Sequence, residues 1–395
     1  MLNIFLLGLV SFFSDLSSEM VYPLIPLYLT SAFGATPVLV GVIEGIAESV
    51  ASLLKVFSGY ITDRYKRKKP IAFMGYATGL IYKLALILAS SWAGILVSRV
   101  IDRIGKGIRT APRDVLVSES ADKDKAGLAF GLHKALDMAG SAAGILCAYL
   151  LISGLHDGID YKKIFLISAL PMIAALVCFF FIKDKHETRK PQTAREPFWK
   201  NLKLVSGNLR LYLLVSFIFT LGNSSNTFLL LRARDVGFSD TNVVLLYLVY
   251  NLTAAVLSVP FGRISDKIGR KAVLVAGYLI FSLVYFGFAF VQSSALLVVT
   301  FVVYGFYTAL VTGAERAMIS EISPKELKGT MLGLQSTIVG LALLPASVIA
   351  GILWDKVGAA APFVFGACLS LVAAIMLIAF LGKTAPGKET QNETI

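Results

Sequence analysis

Long apolar runs, separated by short polar segments, recur from one end of the chain to the other. Each run has about 20 residues, which is enough to cross the ~30 Å hydrocarbon core of a bilayer. Because backbone polar groups in lipid must pair within their own segment, we expect these runs to be α-helices. The pattern predicts twelve spans, near residues 3–30, 38–61, 70–89, 92–115, 126–152, 161–182, 208–231, 241–262, 271–291, 294–320, 328–352 and 361–382.

The second six spans repeat features of the first six. Segment 59–68 resembles segment 262–271, and each follows the second span of its set. Residues 184–207, between the two sets, are polar and contain proline, unlike the sequence on either side. We therefore predict an all-α membrane protein of two pseudo-symmetric six-helix bundles, residues 1–183 and 208–395, with 184–207 as a cytoplasmic linker and a short tail at the C-terminus.

The composition agrees with a membrane protein and gives its orientation. Hydrophobic residues make up 56% of the chain and charged residues 16%, against about 25% charged residues in soluble domains. The net charge of +12 would suit a nucleic-acid partner, but the basic residues cluster in loops after even-numbered spans, as the positive-inside rule requires. We predict no nucleic-acid partner, a multi-pass location in the cell inner (plasma) membrane, and both termini in the cytoplasm.

Two carboxylates lie inside the first span, where charged side chains are costly and mark candidate functional residues. Asp15 and Glu19 are one helical turn apart near the middle of this span. Neighbouring carboxylates repel each other in a nonpolar environment, so at least one of them is expected to bind a proton readily. The alternative is permanent neutralisation of both by basic partners. We predict that both serve proton coupling, with Glu19 facing the central cavity and Asp15 paired with Arg103.

The fourth span carries basic residues on one helical face, including Arg103 and Lys106. This ladder has three interpretations, which do not exclude one another. It pairs with acidic residues of the same bundle, it attracts an anionic solute, or its inner end lies at the cytoplasmic interface. We predict that Lys106 contacts the solute.

The second and fifth spans add further charged or titratable positions. Glu44 is expected to be a structural ion-pair partner of Lys55 or of the fourth span, whereas Glu48 lies deeper and is a candidate solute ligand. His133 and Asp137 are spaced to hydrogen-bond along one helical face, and both are candidate proton-coupling residues. The histidine is either a proton relay or a satisfied packing residue.

The second half has mainly uncharged polar and aromatic positions within its spans. The candidate solute ligands there are Asn223, Asn226, Asn251 and Tyr304. With Tyr22 of the first span they predict an aromatic and amide wall beside the charged wall, which suits a small amphipathic organic solute. Ordinary helix packing explains the same residues, since small and aromatic residues also hold bundles together.

Four short motifs resemble those of the major facilitator superfamily, and the resemblance covers the whole chain. Segments 59–68 and 262–271 are two copies of the loop signature G-x-x-x-D-R/K-x-G-R-K, with Lys66 at the second glycine position of the first copy. Segment 103–107, Arg-Ile-Gly-Lys-Gly, resembles the R-x-x-Q-G motif of the fourth span, which implies that Arg103 takes part in proton coupling. Segment 140–144, Gly-Ser-Ala-Ala-Gly, resembles part of the antiporter motif of the fifth span.

The resemblance, closest to the bacterial drug/proton antiporter-like branch, implies a transporter that works by alternating access. Acidic residues of the signature loops would make contacts at the cytoplasmic face in one state and break them in the other. The implied gating residues are Asp63, Arg64, Arg113, Asp114, Asp266 and Arg270. The expected function is proton-coupled export of a small organic solute that is anionic or amphipathic; an importer or facilitator of a small metabolite is the alternative.

Enzyme chemistry has no support in the sequence. No nucleophile–base triad, phosphate loop or metal-ligand cluster is evident, and the three cysteines all lie within apolar runs. We therefore predict neither an enzyme nor a cofactor or metal. The expected partners are the solute, protons as coupling ion and the lipid bilayer, and the chain is expected to be a monomer.

Overall fold

The structure, a computed structural model, describes residues 2–65, 68–120, 126–154, 159–183, 207–323 and 328–380. Within these residues the chain forms fourteen α-helices and no strand. The helices of the N-terminal half are α1 Leu2–Glu19, α2 Leu24–Phe33, α3 Pro37–Tyr65, α4 Lys68–Leu88, α5 Trp92–Ser120, α6 Ala126–Ser153 and α7 Tyr161–Phe180. Those of the C-terminal half are α8 Gly207–Gly222, α9 Thr227–Asp235, α10 Asp240–Ile268, α11 Arg270–Phe290, α12 Ser294–Ile322, α13 Lys328–Lys356 and α14 Ala361–Phe380.

The first predicted span is two helices rather than one. The chain turns between Glu19 and Leu24, where α1 ends and α2 begins. Pro23 has no N–H to donate to the carbonyl of Glu19, four residues earlier, so a regular helix cannot continue through this point. The prediction of one continuous helix over residues 3–30 is therefore wrong, and the break places Glu19 at a helix end.

The seventh span is broken at the corresponding place, although it contains no proline there. The polar run from Gly222 to Asn226 separates α8 from α9. The Ser225 hydroxyl accepts a hydrogen bond from the Thr227 N–H at 3.3 Å, and such local side-chain bonds compete with the helical ladder. The prediction of a continuous helix over residues 208–231 is also wrong, for this different physical reason.

α5 crosses the bundle although it is too charged to be recognised as a membrane span by hydropathy. Eleven helical segments of the described chain are long and apolar enough to span a bilayer, and α5 is not among them. It packs against α3 and α4 within the N-terminal half. Its polar face is turned toward protein, which removes the cost of exposing charge to lipid. With α5 included, the broken and unbroken spans together number twelve, as predicted.

The two halves repeat the same packing. α1 packs on α6 and α7, and α8 packs on the equivalent helices α13 and α14. α3 packs on α5 in the same way that α10 packs on α12. Between the halves, α3 contacts α13 and α6 contacts α10. These matched contacts form two pseudo-symmetric six-span bundles, as expected; most of the predicted linker, residues 184–206, lies outside the described residues.

The α3–α13 interface between the halves depends on very close approach. A Cβ added at Gly41 would lie 2.3 Å from the backbone oxygen of Ser347, and one added at Gly351 would lie 2.6 Å from the Cα of Val38. Further along the same pair, Ser49 donates a hydrogen bond to the Gly340 carbonyl at 2.6 Å. Glycine lets these helix backbones pack in direct contact, a common device of membrane helices.

The bundle has two ends that differ in charge. We call the end that carries the loops after even-numbered spans the basic end; it includes Lys68, Lys69, Arg270 and Lys271. The other is called the opposite end. There the halves are joined directly, because Arg234 of α9 donates to the Thr30 hydroxyl of α2 at 2.7 Å. Arg234 also pairs with Asp240 at 3.2 Å.

Candidate functional site

A polar cavity of about 170 Å³ lies between the halves. Its wall comes mainly from α1, α3 and α5 of the N-terminal half, and the C-terminal half contributes Asn226 and Tyr247. The predicted site residues that line it are Asp15, Glu19, Tyr22, Glu48, Arg103, Lys106 and Asn226. Lys106 on α5 and Arg316 on α12, both toward the basic end, are exposed. At the opposite end the two halves are in contact through Arg234 and Thr30.

The two helix breaks position polar groups in this cavity. Glu19 is the last residue of α1, and Asn226 directly precedes α9. Both side chains line the cavity from equivalent places in the two halves. A helix end leaves backbone groups without helical partners, so a break in the membrane is tolerated where it borders a polar cavity.

A buried ion pair anchors the charged wall. Arg99 donates from Nε and Nη2 to the two carboxylate oxygens of Glu44, at 2.9 and 2.6 Å. The exposed fractions of the two side chains are only 2% and 1%. Such a bidentate pair is geometrically specific, so Glu44 has the structural role expected of it, with the fourth span as its partner.

Arg103 contacts different acids from the one we expected. Its Nη2 lies 2.6 Å from Glu48, and its Nη1 lies 3.7 Å from Asp102. Asp102 is shared, since it also lies 3.6 Å from Arg99. The prediction that Asp15 pairs with Arg103 is therefore wrong. The i,i+3 spacing of Arg99 and Asp102 and the position of α3 beside α5 supply nearer acids.

Asp15 instead faces the part of α5 that is nearer the basic end. Its carboxylate lies 3.9 Å from Arg109 Nη2, which is a loose ion pair. Ser141 of α6 donates to it at 3.4 Å. Asp137 of α6 accepts from Ser11 at 3.0 Å and from Lys134 at 2.7 Å. The structure thus brings Asp15 and Asp137 to neighbouring positions on α1 and α6.

His133 does not hydrogen-bond to the Asp137 carboxylate, although the spacing of the two residues suggested this bond. Ser11 and Lys134 occupy the two carboxylate oxygens of Asp137. His133 is buried, and its Nε2 has no hydrogen-bond partner within the described part of the chain. Its proposed place in a proton pathway stays a prediction.

Glu19 is the carboxylate through which the halves meet in the cavity. Tyr247 of α10 donates its hydroxyl hydrogen bond to Glu19 Oε2 at 3.1 Å. The ring of Tyr247 also lies 5.6 Å, centroid to centroid, from the ring of Tyr22. A change in protonation at Glu19 would therefore be felt directly by a residue of the other half.

The amide and tyrosine positions of the C-terminal half form a hydrogen-bonded layer. Asn226 donates to the Tyr250 hydroxyl at 2.9 Å and accepts from Tyr304 at 2.7 Å. Asn223 donates to Tyr307 at 3.2 Å, and Asn251 donates to the carbonyl of Tyr247 in its own helix. Of the four predicted solute ligands, only Asn226 lines the cavity. Asn223, Asn251 and Tyr304 lie behind that surface.

The predicted gating residues are only partly described. Arg113 donates from Nε and Nη2 to Asp114 Oδ1, at 2.9 and 2.8 Å. Arg270, at the start of α11, donates to Ser265 at 3.0 Å. The remaining side chains lie outside the described part of the structure: Asp63, Arg64 and Asp266. Gating by this set stays a prediction.

The predicted site left out several residues of the cavity wall, among them two tyrosines, and a buried lysine beside it. Tyr82 and Tyr247 line the cavity, and Lys83 is fully buried beside it on α4, with no hydrogen-bond partner for Nζ among the described residues. Lys83 could have been recognised in the sequence, because a lysine in an apolar span is expected to face the bundle interior. The tyrosines carried none, since an aromatic residue is common in any membrane helix.

A cavity enclosed by two repeated six-span bundles, with a helix break from each bundle at its edge, defines a membrane transporter. The chain belongs to the major facilitator superfamily. The family model described as Major Facilitator Superfamily matches residues 7–231 and 212–395. The family comprises transporters and not enzymes.

Curated relatives extend over almost the whole chain. An MFS-type transporter of Methanocaldococcus jannaschii is 38% identical over 382 residues, covering 95% of this chain and 94% of the relative. A multi-drug resistance efflux pump PmrA homolog of Lactococcus lactis is 25% identical and covers 82% of this chain and 81% of its own.

Solved structures share the fold at low sequence identity. The nucleoside transporter NupG superposes with a TM-score of 0.81 at 13% identity, over 95% of this chain and 99% of its own. A D-xylose-proton symporter gives a TM-score of 0.76 at 15% identity, over 98% and 99% of the two chains. At these identities the likeness establishes the fold alone.

Proposed function

We propose that this protein exports a small organic solute by alternating access and couples the transport to proton movement. The observation that carries the proposal is the position of Glu19. This carboxylate lines the cavity at the break between α1 and α2 and accepts a hydrogen bond from Tyr247 of the other half. A group that binds a proton and also contacts both halves can link protonation to their relative movement.

The surrounding charges support a coupling role for this region. Asp15 of α1 and Arg103 of α5 line the cavity. Asp137 lies beside Asp15 on α6, since Ser141 donates to both residues, and His133 is one turn from Asp137. Intramembrane ionisable groups of transporters commonly serve proton pathways. Of this set, Glu19 is the proposed coupling carboxylate and the others tune its surroundings.

The size and polarity of the cavity suit a small polar solute. Its volume of about 170 Å³ is below the ~300–1,000 Å³ of drug-sized pockets. Tyr22, Lys106 and Asn226 are the proposed contacts, since all three line the wall. Glu48 lines the wall as well, but Arg103 holds its carboxylate at 2.6 Å.

The proposed direction rests on the relatives and on the charge pattern. The L. lactis relative is described as a multi-drug resistance efflux pump. We propose that the cavity opens toward the basic end, where Lys106 and Arg316 are exposed, and that this end is cytoplasmic by the positive-inside rule. We accordingly propose that the protein lies in the inner (plasma) membrane and takes up its solute from the cytoplasm. The proposed oligomeric state is a monomer.

Proteoliposomes containing a trapped pH indicator test this function. A panel of an organic cation (ethidium), an anion (benzoate) and a zwitterion (phenylalanine) is added on one side, and lumenal pH is followed. With a proton-coupled exporter, solute that enters the lumen drives protons out. The lumenal pH then rises only in liposomes that contain the protein. Proton and solute movement in the same direction would indicate an importer instead, and solute movement without any pH change would indicate a facilitator.

A further inference from the structure

Most charges around the cavity are already neutralised by partners within the N-terminal half. Arg99 is held by Glu44 in a bidentate pair, and Arg103 is held by Glu48 at 2.6 Å. Asp102 lies between the two arginines, at 3.6 and 3.7 Å. Groups engaged in this way have little capacity for a solute, because breaking a buried pair leaves an uncompensated charge.

Two opposite charges on the cavity wall remain after this pairing. Asp15 has Arg109 at 3.9 Å. Glu19 has the Tyr247 hydroxyl as its hydrogen-bond donor but no ion-pair partner among the described residues. Lys106 is exposed to the cavity and likewise has no ion-pair partner in the described part of the chain. One acid and one base are thus left available in one cavity.

We propose that the solute is a zwitterion, whose amine binds Glu19 and whose carboxylate or other anionic group binds Lys106. The inference rests on the proposed function, because it takes the cavity to be the transport site. A singly charged solute would satisfy one of the two groups and leave the other unpaired, at a cost in binding free energy. A site that binds a polar group strongly rejects an analogue without that group, because its own buried polar residues are then left unpaired.

The rest of the cavity limits the body of the solute. Tyr22 and Tyr247 lie 5.6 Å apart between their ring centroids, beside Glu19. The Tyr22 ring also contacts two arginines, since the Arg99 and Arg103 guanidinium carbons lie 5.2 and 5.8 Å from its centroid. A small apolar side group can pack against the tyrosine rings while the two charged ends reach Glu19 and Lys106.

This assignment also gives a physical basis for exchange of solute against protons. A proton on Glu19 removes the charge that an amine would bind, so the two ligands compete for one carboxylate. The groups that face Glu19 are Lys83 of α4, Arg99, Arg103 and Lys106 of α5, and Tyr247 of α10, with Asp15 on its own helix. Competition at a single site is what opposite movement of two ligands requires.

Matched compounds test the proposal with the purified full chain in detergent, by calorimetry without a proton gradient. The probes are phenylalanine, phenylalaninamide and 3-phenylpropionate; leucine, leucinamide and 4-methylpentanoate; and 4-aminobutyrate, 4-aminobutyramide and butyrate. Each set gives a zwitterion, a cation and an anion on one skeleton. We expect a zwitterion in at least one set to bind at least tenfold more tightly than both of its singly charged analogues, corresponding to about 1.4 kcal/mol.

Two variants assign the charged ends separately. Lys106→Gln should reduce affinity for the zwitterion to that of the amide, and Glu19→Gln should reduce it to that of the acid. Lys162→Gln and Glu321→Gln are matched controls, because both side chains are exposed outside the cavity, and both should keep the wild-type preference. Elution as a single folded species checks each variant.

The outcomes separate this inference from the proposed function. Equal or tighter binding of singly charged compounds in every set, or no zwitterion binding, would overturn the zwitterion assignment. Proton movement driven by ethidium or benzoate in proteoliposomes would then leave proton-coupled transport standing. The zwitterion assignment would also be overturned if Lys162→Gln and Glu321→Gln lost the preference for zwitterions as Lys106→Gln does. Surface charge, and not the cavity, would then be responsible for the preference.

Discussion

At the scale of residues, the charged side chains in and beside the cavity wall mostly hold one another, with Arg99 paired to Glu44 and Arg103 to Glu48. The sequence singled out Glu19, Glu48, Arg103 and Lys106, and all four line the cavity, because charged residues in a membrane span face the bundle interior or a wet cavity. Their roles in coupling and solute binding stay predictions. The partner of each charge depends on how helices are rotated and where they cross. No spacing along one chain reveals that, so the Asp15–Arg103 pair was predicted and a loose Asp15–Arg109 pair was found.

The Arg99–Glu44 pair gives a stability prediction. Arg99→Ala should lower the free energy of unfolding by about 3–5 kcal/mol, because Glu44 would be left charged and buried without a partner. Replacing both residues together, as Arg99→Met with Glu44→Leu, should restore most of the loss. Thermal denaturation of the detergent-solubilised protein measures both. A double variant as unstable as the single one would show that the pair does not act through mutual neutralisation.

At the scale of elements, apolar runs predicted the number and order of spans, because run length and bilayer thickness are tied together. The helix breaks within the first and seventh spans were not predicted. Pro23 in the first span is a visible signal for a break, whereas the break at residues 223–226 depends on competition between amide or hydroxyl side chains and the backbone. The second span, which carries Glu44, Glu48 and Lys55, was kept in the prediction because the loops on either side require a span there.

The junction at the opposite end yields a prediction about helix movement. Arg234 of α9 bridges to Thr30 of α2 at 2.7 Å, a contact that must break if the halves separate there. Arg234→Ala should favour opening at this end by about 1 kcal/mol, roughly fivefold in population. The reporter is Ser347→Cys, at a buried α13 position that packs on α3, in a chain whose three native cysteines are replaced.

Accessibility of that cysteine to a membrane-impermeant maleimide measures the opening. Labelling should be several-fold faster in Arg234→Ala than in its parent. Arg210→Ala, at an exposed position near the start of α8, is the matched control and should label at the parental rate. Equal rates for Arg234→Ala and its parent would mean that this contact does not hold the halves together.

At the scale of the whole molecule, the internal repeat and the loop signatures were sufficient for the architecture. The match in packing between α1–α7 and α8–α14 follows from two similar sequences that fold alike. The cavity could not be predicted in the same way. It is built mostly by one half, and the tyrosine layer of the other half was assigned to solute binding although most of it lies behind the wall.

Orientation in the membrane is the whole-molecule property that the charge pattern predicts. Thr193→Cys in the linker should be protected from an impermeant thiol reagent applied to intact cells. Ser293→Cys, exposed at the opposite end just before α12, should react, because the basic loops are held on the cytoplasmic side. Both are made in the cysteine-free chain. Reaction of Thr193→Cys with protection of Ser293→Cys would reverse the proposed orientation.

The most direct test of the account compares proton-driven accumulation with solute exchange in proteoliposomes containing wild-type protein or Glu19→Gln. Glutamine keeps the size and hydrogen bonding of glutamate but cannot bind or release the proton. The measured solute is the panel compound that gives the largest proton signal with the wild type, at concentrations that saturate exchange. We expect Glu19→Gln to lose gradient-driven accumulation and to retain exchange at a rate within about tenfold of wild type. Accumulation in Glu19→Gln with the wild-type dependence on the proton gradient would contradict the central claim that Glu19 couples the two movements.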